Sequence, residues 1–217
     1  MPCSNVTASE AAFHGVPLLP ANDCSHVHLM VDEADDIDIS DGNRISYIIG
    51  RGVNGPKAGQ VSLRQVRRLL RAAETKIVLA HRGVAALERL NGQLPILING
   101  NLETWEETAE EIDDIFLGDA EIKRRSYSIT ANPRGGELPV VTDDGDMILD
   151  VDFYGSLKLF GDEAAYEEIA ATIESVQGVI THGLVVAEAD AAIVGLGNDC
   201  QSEIMHVGRG KALGEKV

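Results

Sequence analysis

The sequence predicts an α/β protein of two modules: a layer built on a parallel sheet, and a ferredoxin-like βαββαβ module inserted into it. Three observations carry that prediction. Residues 27–90 alternate short apolar runs with helical patterns, the rhythm of parallel strands joined by crossovers. Residues 94–187 then run strand, helix, strand, strand, helix, strand, which is the split βαβ order. Beyond them "ADAAIVGLG" (189–197) is one more apolar run, whose small residues suit a tightly covered strand that rejoins the first sheet. The predicted units are therefore 1–93 with 188–217, and 94–187 as a lid.

The elements follow in order. Residues 27–31, "VHLMV", read as a short buried strand that ends at an acidic stretch. Residues 42–62 are glycine-rich, with "GRGVNGPKAG" at 50–59, and read as a loop. Ser62 is placed to cap a helix over 63–74, "LRQVRRLLRAAE", which gathers Leu63, Val66, Leu69 and Leu70 on one face. "KIVLA" (76–80) is a strand, and 83–90 is predicted as a second helix. In the inserted module "LPILI" (94–98) is a strand. Residues 102–117 form an acidic amphipathic helix, with Trp105 among its core positions. Residues 122–130 make a strand, and 138–153 a hairpin turned at Asp144-Gly145, a dipeptide suited to tight turns. A helix over 162–176 is assigned Asp162 as its cap, and 178–186 is the module's last strand. The tail, 203–217, is expected to be loose.

Charge narrows the partners. The 217 residues carry 35 acidic against 18 basic side chains, a formal charge of −17. Such a field repels nucleic acid and anionic membranes, so neither is expected as a partner. A phosphorylated substrate would need a local site to overcome it. With 12 Arg against 6 Lys, the acid-rich, lysine-poor surface suits high salt, where like charges are screened. A hydrophobic fraction of 44% supports a real core. Cys3, Cys24 and Cys200 are scattered and form no C-x-x-C pair, which argues against a zinc ribbon or a disulfide framework and for a reducing cytoplasm. The apolar run 176–187 is interrupted by Gln177, Gly178, His182 and Gly183 and is too polar to span a bilayer. No secretory leader pattern opens the sequence.

"VDEADDIDISDG" (31–42) holds six acidic residues in twelve positions. A calcium loop started at Asp36 would have Asp41 where glycine is required and Tyr47 where the bidentate carboxylate belongs. That reading fails. Asp36, Asp38 and Asp41 are expected to be solvent-facing turn residues. Asp32 and Asp35 differ, because they come directly after a buried strand. Ligands of open α/β sheets bind beyond the carboxyl ends of strands, where a half-desolvated carboxylate is tuned for proton transfer.

Four segments resemble one family. "MVDEADDID" followed by a glycine-rich loop is similar to the "DGADE…KGGG" signature of the A-type ribose-5-phosphate isomerases. "VVTDDGDMILDVDF" resembles that family's "VVTDNGN-ILD" hairpin. "VQGVITHGLVV-AEADAAIVG" resembles its "PGVVEHGLF-ADAVIVG" ending. "TKIVLAHRGVAALERLNGQLPILI" falls in the register of its strand, "ADxSK" turn and "PVEV" segment. The likeness runs from about residue 8 to residue 197. It implies a Rossmann-like layer, shortened at its N-terminus, under a ferredoxin-like lid. It also implies aldose–ketose isomerisation of ribose 5-phosphate to ribulose 5-phosphate in the pentose phosphate pathway. In that chemistry a carboxylate base moves a proton between C1 and C2 through a cis-enediolate, and cations with backbone amides hold the phosphate.

Carried over residue by residue, the resemblance assigns Asp32 and Asp35 to the two aspartates of "DGADE", with Glu33 in place of its glycine and Ala34 matching its alanine. The family's base, the Glu of "REK", falls on Gln65 or, one residue on, Val66. An amide cannot accept the C2 proton. The loop lysine falls on Lys57, or else "IIGRG" matches "IKGGG", which puts Ile49 at the lysine and leaves Arg51 as the nearest cation between Gly50 and Gly52. The "ADxSK" lysine corresponds to Val84. His81, at the end of the "KIVLA" strand, is placed to touch substrate. The family's opening strand and "GTGST" phosphate loop are expected to be missing, unless residues upstream of Met1 carry them. "VGLGNDCQS" (194–202) lacks the following helix that a phosphate loop needs.

No cofactor and no metal are expected. His26 and His28 lie two apart on one side of a strand, and two ligands alone make no metal site. His182 reads as a packed core histidine. The expected ligand is a small sugar phosphate. The strand edge left by the missing segment invites a second copy or a full-length homologue. Two functions stay open at this point: an isomerase of that family, and a catalytically inert homologue acting as a binding or partner subunit.

Overall fold

The computed structural model describes residues 5–18, 26–40, 44–51, 63–81, 85–86, 89–101, 103–127, 138–195 and 202–206. The fold is α/β, a Rossmann-like parallel layer joined to a ferredoxin-like module. A helix, α1 (Asn5–Phe13), precedes the first strand in a stretch where the sequence pattern offers no element.

The parallel layer contains β1 (Val27–Glu33), with two short strands, β2 (Asp36–Asp38) and β3 (Ser46–Ile48), directly after it. Helix α2 (Leu63–Ala72) runs straight into β4 (Ala73–His81). β4 takes the centre, with β1 parallel on one side through pairs such as Val31↔Ile77. The apolar run after the lid does rejoin this sheet: it forms β11, Ala191–Gly195, parallel to β4 on the other side. Alternation along the strands turns Met30, Val78, Ala80, Ala192 and Val194 inward. α2 covers them with Leu63, Val66, Leu69 and Leu70, all 6% exposed or less, which is the face its periodicity predicts. Each such leucine contributes on the order of 1.5–3 kcal/mol through burial.

The ferredoxin-like module contains β6 (Asn91–Ile98), α3 (Trp105–Phe116), β7 (Ala120–Arg124), β8 (Met147–Ser156), α4 (Tyr166–Ser175) and β9 (Val179–His182). Its sheet order is β7-β8-β6-β9, and β6 is antiparallel to both its neighbours. Ile112, Phe116, Ile169 and Ile173 of the helices pack on Leu94, Ile96, Leu149 and Val151 of one sheet face. The opposite face sends Leu97 and Ile148 into the core of the parallel layer, so the module is docked on that layer by apolar contact.

A third, small sheet joins the two. It has the order β10-β3-β2-β5, with β5 at Ala85–Ala86 and β10 at Leu184–Val186. The predicted strand 178–186 is thus two strands in two sheets, and Gly183 is the switch. Its N–H donates to Pro95 O (2.7 Å) and its carbonyl accepts Ile49 N–H (2.9 Å). A Cβ there would lie 2.2 Å from Ile49 O, so only glycine lets the two backbones approach.

Other expectations need correcting. The helix predicted over 83–90 is replaced where described by β5, parallel to β2. Eight residues are too few to sustain a helix without strong packing, and β2 offers ladder bonds instead. The loop predicted over 42–62 contains β3, a fully buried "SYI" pairing on both sides. Asp36 and Asp38 are not solvated: they are 5% and 8% exposed within β2. Asp162 does not cap α4, whose N-cap is Ala165; Asp162 bonds back to Leu159 instead. The tail begins as a strand, β12 (Ser202–His206), antiparallel to β11. Ser62, Asp41 and residues 128–130 and 207–217 lie outside the described residues. Among the described residues, no helix is long and apolar enough to cross a membrane.

Candidate active site at the end of strand β1

Where β1 ends, the chain leaves one sheet for another. Ala34 N–H donates to Leu79 O and Asp35 N–H to Ile48 O, each at 2.8 Å. The segment 32–36 is therefore stretched between β4 and β3, with its backbone satisfied on both sides. This holds the two aspartates half-buried at the carboxyl end of the parallel sheet.

Asp32 accepts Glu33 N–H on Oδ1 at 3.0 Å. Its Oδ2 is buried and has no hydrogen-bond partner among the described residues. Burial pushes its pKa from 3.8 to about 6; the Glu33 amide opposes the rise, and the charges of Asp35 and Glu33 add to it. Asp35 is raised too, by burial, against the pull of the Arg51 amide and guanidinium and of Arg125. Its Oδ2 accepts Arg51 N–H at 2.7 Å. That amide is aimed by Gly50, whose φ of +86° is the left-handed conformation glycine tolerates. A Cβ on Gly50 would also sit 2.8 Å from Leu63 Cδ2.

The turn is held from the lid side. Arg125, just after β7, donates from Nη1 to Gly50 O (2.9 Å) and from Nε to Asp150 Oδ2 (2.8 Å), with a second bond from Nη2 to Asp150 Oδ1. Arg125 and Asp150 are both 7% exposed, so this fork-to-fork pair is buried. Behind Asp32, Tyr47 is buried, and its pKa is driven upward by burial first and then by the charges of Asp32 and Glu188, with Arg67 opposing. Tyr47 therefore stays protonated. Arg67 pairs with Glu188 at 3.1 Å.

The predicted residues divide by where the structure puts them. Asp32, Ala34, Asp35, Gly50 and Arg51 come together. Ala34 is buried and Glu33 exposed. The Arg51 side chain reaches across to the start of β6, donating to Gln93 O (2.5 Å), Asn91 O and Asp35 O (3.4 Å), and lies 3.6 Å from Asp36. His81, exposed, ends β4 at the same edge of the sheet, opposite Gly195. Ile49 is in the core at 3% exposure. Of the two registers open for the base, Val66 is buried in the core at 3% exposure and Gln65 is half-buried, on a helix packed against β1. Gly52, Lys57 and Val84 lie outside the described residues. A cavity of about 710 Å³, lined by Ser40, Arg89, Asn91, Gly92, Tyr154 and Glu163 among others, includes neither aspartate.

Tyr47, Arg67, Arg125, Asp150 and Glu188 were not anticipated. Arg67 had a signal: it falls on the apolar face of α2, between Leu63 and Leu70, where a charge must find a buried partner. Asp150 had one as well, as an acid at an inward position of the alternating run "MILDVDF".

The family model for ribose 5-phosphate isomerase A (phosphoriboisomerase A) matches residues 1–199. The chain belongs to the ribose 5-phosphate isomerase A family. The ribose-5-phosphate isomerase A of Synechococcus sp. (strain RCC307) is 31% identical over 189 residues, which is 87% of this chain and 68% of that protein. Among solved structures, ribose 5-phosphate isomerase from Plasmodium falciparum superposes with a TM-score of 0.71 at 21% identity, over 94% of this chain and 76% of that one. A D-ribose-5-phosphate isomerase in complex with phospho-erythronic acid gives a TM-score of 0.73 at 22% identity, over 95% and 76% of the two chains. The chain spans about two thirds of the length of its curated relatives.

Proposed function

We propose that this chain isomerises ribose 5-phosphate slowly, with the Asp32–Asp35 pair moving the protons of an enediolate beneath a lid formed by residues 94–187. The observation that carries this reading is Asp32: a carboxylate at a strand end, with one buried oxygen unpartnered among the described residues and a pKa raised to about 6. Such a group is ionised at neutral pH, yet close enough to it to take up a proton and return it. Asp35, fixed by the Arg51 amide, sets the second carboxylate beside it, and Tyr47 supplies a neutral phenol behind it.

A low rate is expected because the position of the family's base falls on Gln65 or, one residue on, Val66, and neither side chain accepts a proton. Losing a positioned base costs roughly two to four powers of ten. The reading is tested in a coupled ribose-5-phosphate to ribulose-5-phosphate assay, in low and high salt. Gln65→Glu is expected to raise turnover by about a hundredfold or more, and Asp32→Asn with Asp35→Asn to abolish it. Undiminished turnover in the double variant would sink the assignment.

One observation favours a second reading, an inert binding or partner subunit. The two arginines whose charges act on Asp35 donate to groups of the fold itself, Arg51 to three carbonyls and Arg125 to Asp150 and Gly50. Binding of the sugar phosphate without turnover in either the wild type or Gln65→Glu would decide for it.

A further inference from the structure

We propose that His26, His28 and Glu74 form a binding site for a first-row transition-metal dication, with Zn²⁺ as the representative ion, at the start of β1. The sequence offers two imidazoles on one side of a strand. The fold adds a carboxylate from the neighbouring strand. Val27 pairs with Ala73 and Leu29 with Thr75, so His28 and Glu74 are lateral neighbours, and the period of two places His26 on the same side as His28.

The side chains converge accordingly. One ligand atom from each of the three residues lies within 4.8 Å of the others. The imidazoles meet edge to face with centroids 4.4 Å apart. His26 Nε2 is already 3.3 Å from Glu74 Oε1. Bonds of about 2.0–2.1 Å to a tetrahedral zinc require ligand atoms about 3.3 Å apart, so one edge of that tetrahedron stands as it is. Modest side-chain rotations close the rest.

Two imidazole nitrogens with one carboxylate oxygen suit Zn²⁺, Co²⁺, Ni²⁺ or Cu²⁺ rather than the oxygen-seeking Ca²⁺ and Mg²⁺. Side-chain exposure of 50% at His26 and 59% at Glu74 leaves room for water in a fourth position. A net charge of −17 raises the local concentration of cations. Bound there, the ion ties β1, at one edge of the described sheet, to β4 at the end where the chain enters. Four extended residues, about 13 Å, separate His28 from Asp32, so the site is independent of the proposed isomerase chemistry.

The test is calorimetric titration of zinc chloride into the full chain in buffer free of imidazole and phosphate, with Co²⁺ as a spectroscopic probe. One equivalent of Zn²⁺ is expected, together with the visible absorption of four-coordinate Co²⁺. His26→Ala and His28→Ala should each weaken binding by about tenfold or more, Glu74→Gln should weaken it less, and the double histidine variant should bind no ion and lose the Co²⁺ band. All three residues are exposed, so unchanged thermal melts without metal should show that the variants fold. Absence of binding by the wild type, or the same stoichiometry and affinity in the double variant, would overturn the proposal. The second outcome would put the ion at another acidic cluster.

Discussion

Asp32→Asn should make the protein more stable at neutral pH and not at acid pH. An acid whose folded-state pKa exceeds its unfolded value holds its proton more tightly when folded. Its contribution to stability is complete below the unfolded pKa of 3.8 and is lost as pH rises through about 6. At about 1.4 kcal/mol per pH unit, the full loss is about 3 kcal/mol. The variant does not recover all of that. Asn keeps an oxygen for the Glu33 amide but puts an NH₂ where the unpartnered Oδ2 sits, at about 1 kcal/mol or more. We therefore expect a net gain of about 1–2 kcal/mol at pH 8 and a small loss at pH 4. The contrast between the two pH values, about 2 kcal/mol or more, is free of the amide's cost. Urea unfolding of both proteins at the two pH values, in enough salt to screen the general charge, measures it. Parallel stability–pH curves for wild type and variant would mean that Asp32 ionises as it does in water, and the desolvated acid at the centre of the proposed chemistry would be gone.

Arg125→Ala strands Asp150 as a buried carboxylate and frees Gly50 O, so unfolding should become easier by about 3–5 kcal/mol. The deficit should shrink in acid as Asp150, whose pKa burial already raises, takes a proton; replacing both partners with apolar residues should recover most of it. Gly183→Ala drives a Cβ into Ile49 O at 2.2 Å and should cost roughly 3 kcal/mol or more of stability, while Gly155→Ala, which meets nothing within 4 Å, should melt within about 0.5 kcal/mol of wild type. Tyr166→Phe removes the hydroxyl that donates to Asp38 Oδ2 (2.7 Å) and accepts Leu90 N–H (2.8 Å); a thermal melt should register a loss of about 1–3 kcal/mol.

The elements legible in the sequence were those long enough to show a period. α2, α3 and the β8 hairpin strand each bury one face against a continuous partner, so their apolar spacing repeats. The short strands were illegible for the same reason. β2, β3 and β5 have two or three residues each, too few for alternation, and their pairing is decided by partners far along the chain. Asp36 and Asp38 were misread because an acidic run normally faces water. Nothing local announces that Asn91 N–H and Arg51 will meet Asp36, or that Tyr166 will meet Asp38. The acid pair itself was legible through the family likeness and its place after an apolar strand. Arg51 was legible from the same likeness; Arg125 and Tyr47 were not, since each comes from a different element.

The acidic stretch thus has two jobs along one short piece of chain. Asp32 and Asp35 hold their carboxyls at the sheet's end, and Asp36 and Asp38, one and three residues later, tie the same backbone to β6 and α4 of the lid module. Asp36 does this through Asn91 N–H at 3.0 Å and Asp38 through the Tyr166 hydroxyl at 2.7 Å. Arg51 spans both jobs: its amide holds Asp35, and its guanidinium reaches the start of β6 beside Asp36. A displacement of the lid by a fraction of an ångström would strain these bonds before it opened any apolar contact, because hydrogen bonds weaken steeply with misalignment. The geometry of the acid pair is therefore coupled to the docking of the ferredoxin-like module through residues with no part in the proposed chemistry, and substitutions at Asp36 or Tyr166 should change how Asp32 titrates although neither touches it.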